Sequence, residues 1–91
     1  MFNVVYKRSV LRDLEKLSKE GTLRLFDQLE LLDQVEKDLA EKAEAYTELR
    51  GQFKGLRRYM FRDFRVVHAI MGEKIVILRI GHTGDKLKRG M

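Results

Sequence analysis

Ninety-one residues make a single domain, 1–91, with a small core, and a chain this short buries only about 60–65% of its unfolded surface. It has no cysteine, which excludes a disulfide framework, and no metal-ligand cluster that could act as a zinc staple. No run approaches the roughly 18 apolar residues of a membrane span, and "MFNVVYKRSV" lacks a basic segment ahead of a long apolar one, so the sequence predicts a soluble cytoplasmic protein.

The elements follow in chain order. "FNVVYKRS" reads as a short strand, apolar and β-branched at its start. Ser9 can cap a helix over "VLRDLEKLSKE", in which Val10, Leu14 and Leu17 form a stripe joined by Leu11. Gly21 suits the left-handed position that ends a helix, and Thr22 can cap the next. In that second helix Leu25, Leu29, Leu32, Val35, Leu39, Ala43 and Tyr46 recur at steps of three and four. After Leu49 the period becomes alternating. "LRRYMFRDF", "FRVVHAIMGEK" and "KIVILRIGH" read as a meander of three strands turning at Arg62-Asp63 and Gly72-Glu73. The order predicts an α+β domain: an N-terminal strand, a helical hairpin, and a meander completing a mostly antiparallel four-stranded sheet.

Charge is uneven along the chain, whose formal net charge is +5. Residues 33–48 carry Asp33, Glu36, Asp38, Glu41, Glu44 and Glu48 against Lys37 and Lys42. Residues 50–65 carry Arg50, Lys54, Arg57, Arg58, Arg62 and Arg65 against Asp63 alone. Such asymmetry points to an anionic partner on one face, nucleic acid or acidic protein, or else to an ordinary basic surface.

Two-residue turns fix an expected register. Met60 pairs with Arg65 and Arg58 with Val67; Ala69 pairs with Val76, Val67 with Leu78, and Arg65 with Ile80. Side chains alternate across a strand, so Arg58 and Arg65 share a face diagonally, within reach of one phosphate. Extending the last strand past Ile80 brings His82 to the same face. Leu56, Val67, Ala69, Val76 and Leu78 form an apolar strip there that one helical hairpin cannot cover as well as the aromatic face, which makes it a candidate partner surface. His68 alternates onto the aromatic side and reads as a satisfied core histidine.

"LRGQFKGLRRYMFRDFRVVHAI" resembles the Leu-x-Gly…Leu-x-x-Tyr…Asp-Tyr-Arg-Val pattern of the RelE/ParE toxin superfamily, and "KIVILRIGH" is similar to its closing strand. The resemblance implies a toxin neutralised by a cognate antitoxin, which would cover Leu56, Val67, Ala69, Val76 and Leu78. For RelE-type members it implies a ribosome-dependent mRNA endonuclease that blocks translation, with the ribose 2′-OH attacking the adjacent phosphate and no metal or other cofactor. Arg65 matches the family's strand arginine and Arg58 a recurring basic position, and a guanidinium gives paired donors to phosphate oxygens. Lys54, Arg57, Arg50, Lys86, Lys88 and Arg89 are the candidate RNA contacts. The C-terminus departs from the pattern: "GHTGDKLKRGM" has Thr83 where many RelE-type members have arginine, and no tyrosine follows. His82 is the candidate for proton transfer there. The alternatives are a ParE-like inhibitor of DNA gyrase without nuclease activity, or a degenerate member that only binds antitoxin.

Overall fold

The computed structural model describes residues 3–83. Strand β1 (Asn3–Tyr6) leads into helix α1 (Arg8–Lys19) and helix α2 (Leu25–Lys42). Strands β2 (Thr47–Glu48), β3 (Arg57–Phe61), β4 (Phe64–Met71) and β5 (Lys74–His82) follow. The sheet order is β1-β5-β4-β3-β2, with β1 parallel to β5 and every other pair antiparallel. The expected α+β arrangement is present with one strand more than foreseen. Two residues suffice for β2, too short a segment to show any alternation.

Helix α1 buries Val10, Leu14 and Leu17, one stripe at steps of four and three. Its N-cap is Lys7 rather than Ser9, because the Ser9 hydroxyl donates instead to the Leu78 carbonyl at 2.5 Å. Gly21 closes the turn with φ +73°, the left-handed value a glycine adopts without steric cost. The next helix starts later than Thr22, at Leu25, and spans 18 residues, or roughly 27 Å at 1.5 Å per residue. Its buried positions are Leu31, Val35 and Leu39, while Leu25 and Leu29 of the expected stripe face solvent. A helix resting on a sheet by one line of contact has room for only part of a stripe this wide.

Both helices cover one face of the sheet. The core joins Leu14, Leu17, Leu23, Leu31, Val35 and Leu39 to Tyr59, Phe64, Val66, Ile75, Ile77 and Ile80. Among the described residues the opposite face carries no helix.

The two expected turns are both present, since Phe61 pairs with Phe64 and Met71 with Lys74. The register between β4 and β5 breaks at one point. His68 pairs with Ile77 but Val67 pairs with Arg79, so Leu78 is an extra residue on β5. Beyond this bulge the faces of β5 exchange: Ile80 enters the core opposite Val66, Gly81 lies beside Arg65, and His82 lies beside Phe64. The bulge falls where β5 loses its neighbour, since β1 ends at Tyr6 opposite Ile77. From there α1 replaces the strand: Ser9 takes the Leu78 carbonyl, and the Asp13 carboxylate takes the Ile80 N–H at 2.9 Å.

Candidate functional site

The four arginines of residues 57–65 divide by strand period. Arg57 points to the helical side, where its guanidinium donates to the Tyr46 carbonyl at 2.8 Å. Arg62 occupies the β3–β4 turn and reaches Glu30 at 2.5 Å and Asp27 at 3.5 Å on α2. Its guanidinium also lies 4.9 Å from the centre of the Phe61 ring. Arg58 and Arg65 remain on the open face, opposite Val67 and Met60 respectively.

Between them the surface has a floor. Val67 pairs with Arg58 on one side and Arg79 on the other, and is 1% exposed although it lies outside the helix-covered core. Both of these strand neighbours are arginines, whose long aliphatic stems can cover apolar surface. Gly81 stands next to Arg65, and among the described residues a Cβ added there would meet no atom within 4 Å. Arg58 and Arg65 thus share the open face with Val67 and Gly81.

His82 does not join them. It pairs with Phe64, and the two rings meet edge to face with centres 5.7 Å apart, on the side of the sheet that holds the core. The expected grouping of Arg58, Arg65 and His82 assumed an unbroken register, and the extra residue at Leu78 reverses the last part of it. The apolar strip differs from expectation at one position. Val67 is buried rather than exposed, and Leu56, Ala69, Val76 and Leu78 are each half-buried.

Among the candidate RNA contacts, Arg50 and Lys54 are exposed on either side of a short 3-10 turn (Gly51–Phe53) before β3. Lys86, Lys88 and Arg89 lie outside the described residues. His68 is fully buried as expected; among the described residues neither ring nitrogen makes a hydrogen bond of standard geometry, while the backbone of Ala43 and Val66 lies close enough to favour the charged ring. Burial is the main cause of a pKa pushed below the ordinary histidine value, and the nearby Arg57 charge acts in the same direction.

Sequence reasoning missed two residues of this region. Asp13 accepts from Arg79 Nε and Nη2, both at 2.9 Å, and also from Ile80, but an aspartate within an amphipathic helix gives no sign of burial. Gly81 was invisible because its value depends on the bulge that sets it beside Arg65.

A helical hairpin on one face of a five-stranded mixed sheet is the architecture of a RelE/ParE-like toxin. The chain belongs to the ParE toxin family of type II toxin–antitoxin systems, parDE, whose family model matches residues 4–87. Its fold is similar to a chain of the RelBE2 toxin–antitoxin complex from Mycobacterium tuberculosis, with TM-score 0.71, 21% identity, and coverage of 89% of this chain and 96% of that one. A chain of the chromosomal ParDE system from P. aeruginosa gives TM-score 0.69 at 20% identity, covering 90% of this chain and 96% of that one. YafQ from E. coli gives TM-score 0.63 at 15% identity, covering 92% and 96%. At these identities the likeness establishes the fold. No curated protein sequence matches the chain. The protein is thus a toxin of a toxin–antitoxin pair, and its partner is a cognate antitoxin.

Proposed function

We propose that this toxin works by binding its target through Arg58 and Arg65 rather than by cutting RNA, and that the target is DNA gyrase. The observation that carries this reading is the bulge at Leu78, which turns His82 away from the two arginines. Attack by a ribose 2′-OH needs a base to take its proton and an acid for the leaving oxygen. Arginine stays charged and does neither. The described strand residues on the open face carry guanidinium, aliphatic, thioether, hydroxyl and amide groups and the Lys74 ammonium at the far end of β5, with no imidazole, carboxylate or phenol among them. The match to the ParE family supports the same conclusion. In this reading Arg58 and Arg65 hold an anionic element of the target, with Gly81 leaving it room. The cognate antitoxin neutralises the toxin by covering this face along Ala69, Val76 and Leu78.

The deciding experiment pairs two assays on purified toxin. Gyrase supercoiling should be inhibited, and primer extension on message in a translating extract should show no new ends. New cuts in the message that disappear with Arg65→Ala, alongside unimpaired supercoiling, would establish the ribonuclease reading instead.

A further inference from the structure

Helix α1 carries a ladder of like charges on the side turned from the sheet. At about 100° per residue, Arg8, Arg12 and Lys16 lie almost directly opposite the buried Val10, Leu14 and Leu17, and all three are exposed. Each stands four residues from the next, about 6 Å along the axis at 1.5 Å per residue. We propose that this ladder is a second binding surface of the toxin, fitted to the phosphate backbone of a nucleic-acid duplex.

The ladder departs from how this chain arranges charge elsewhere. Exposed helix surfaces gain stability from opposite charges at a spacing of four, and lose it where the charges are alike. Glu15 pairs with Lys19 at 2.9 Å and Asp33 with Lys37 at 3.0 Å, both at that spacing. Arg8 with Arg12, and Arg12 with Lys16, break the rule twice in succession. No carboxylate among the described residues forms an ion pair with any of the three. The two acids within α1 are already engaged, Glu15 by Lys19 and Asp13 by Arg79 and the Ile80 N–H. Glu20, at the C-cap, ends the ladder. At the other end Lys7 is the N-cap and the first turn carries no acid, so the positive pole of the helix adds to the cations. Solvation alone does not call for this arrangement, which concentrates positive potential along one line.

The same features select a polyanion over an acidic protein. Protein interfaces centre on apolar or aromatic anchors, and no such side chain lies within the ladder. Leu11, the exposed apolar residue of α1, lies beyond Glu15 around the helix. A straight, rigid row of evenly spaced cations is matched by an equally regular row of anions, which a duplex strand presents and a flexible acidic peptide does not. The ladder is on α1, whereas Arg58 and Arg65 are on the open face of the sheet, so the inference does not depend on which target those arginines engage.

Fluorescence anisotropy tests this with full-length toxin free of antitoxin and a labelled DNA duplex of about 20 base pairs. Three phosphate contacts predict a fall in affinity of about 40-fold or more between about 50 and 200 mM salt. Arg8→Gln, Arg12→Gln and Lys16→Gln combined should weaken binding and reduce the slope of log affinity against log salt by about 2.7. Glutamine is a good helix former, so the far-UV spectrum and thermal midpoint should hold. Arg12→Gln alone, which should reduce the slope by about 0.9, keeps the test should the triple variant fail to fold. Absence of duplex binding by the wild type overturns the proposal. So does a salt slope that survives these substitutions, or one that falls only with Arg58→Ala and Arg65→Ala. Displacement of the duplex by poly-glutamate as readily as by unlabelled duplex also overturns it, and would mark the ladder as a surface for acidic protein.

Discussion

Arg79 and Asp13 are joined by two parallel hydrogen bonds of 2.9 Å, and one oxygen of the same carboxylate also accepts the Ile80 N–H. These contacts bind α1 to β5 just past the bulged residue Leu78. They therefore fix which face each later residue of β5 occupies, with Ile80 toward the core, Gly81 beside Arg65 and His82 beside Phe64. An aspartate in the first helix thus governs the surroundings of an arginine far along the chain.

Replacing Asp13 by Ala should remove three hydrogen bonds and leave a strand N–H without its partner. The Asp13 side chain is only 11% exposed, but that of Arg79 is 38% exposed, so water offsets part of the loss. The expected cost is about 2 kcal/mol, read as a lowered midpoint in urea with an unchanged slope. Asp13→Asn keeps one acceptor oxygen and should lose roughly half as much. A midpoint unmoved by Asp13→Ala would show that the bulge holds without the carboxylate.

What the sequence made legible was whatever depended on local period. The hairpin, the two tight turns at Arg62-Asp63 and Gly72-Glu73, and the shared face of Arg58 and Arg65 all follow from counting residues within one or two neighbouring strands. The bulge does not. It arises because β1 stops at Tyr6 and α1 completes the edge of β5, a relationship between residues some seventy positions apart. An error of one residue there was enough to move His82 to the wrong face. Val67 illustrates the other limit: its position was correctly placed, but alternation cannot reveal its burial.

His68 predicts a specific dependence on pH. Its folded-state pKa is lowered by burial, so the unfolded chain binds the proton more readily than the folded one. The stability this group contributes is complete above its ordinary value near 6.5 and is lost as pH falls below it. The loss should approach at most about 1.4 kcal/mol per pH unit, the slope for one proton. His68→Leu removes the titrating ring. Thermal unfolding between pH 7 and pH 5 should show a smaller decline in the variant than in the wild type, and equal declines would refute the assignment.

Arg62 has φ +52°, a left-handed conformation that is costly for a residue with a Cβ. Its ion pairs with Asp27 and Glu30 are solvent-exposed and contribute at most about 1 kcal/mol. Asparagine tolerates the left-handed region, so Arg62→Asn should change stability by less than about 1 kcal/mol. A β-branched side chain does not, and Arg62→Val should cost about 2 kcal/mol or more. Chemical denaturation of the pair distinguishes backbone strain from ion pairing. Equal losses in both variants would assign the effect to the lost salt bridges.

Gly81 offers the most direct test of the two arginines. Among the described residues a Cβ there meets no atom within 4 Å, and Gly81 does not have positive φ, so a side chain starts there without backbone strain. Gly81→Leu should leave stability within about 0.5 kcal/mol of wild type, as for a surface substitution away from special features. It should nonetheless fill the space beside Arg65 and reduce toxicity in growing cells. Arg65→Ala and Arg58→Ala should reduce toxicity by removing charge, whereas Gly81→Leu does so by occupying volume. Comparing the three in a growth assay, with unfolding curves as the control, separates these causes. A folded Gly81→Leu toxin of full potency would mean that the target contacts another part of the surface, and Arg58 and Arg65 would then lose their assignment as its anchors.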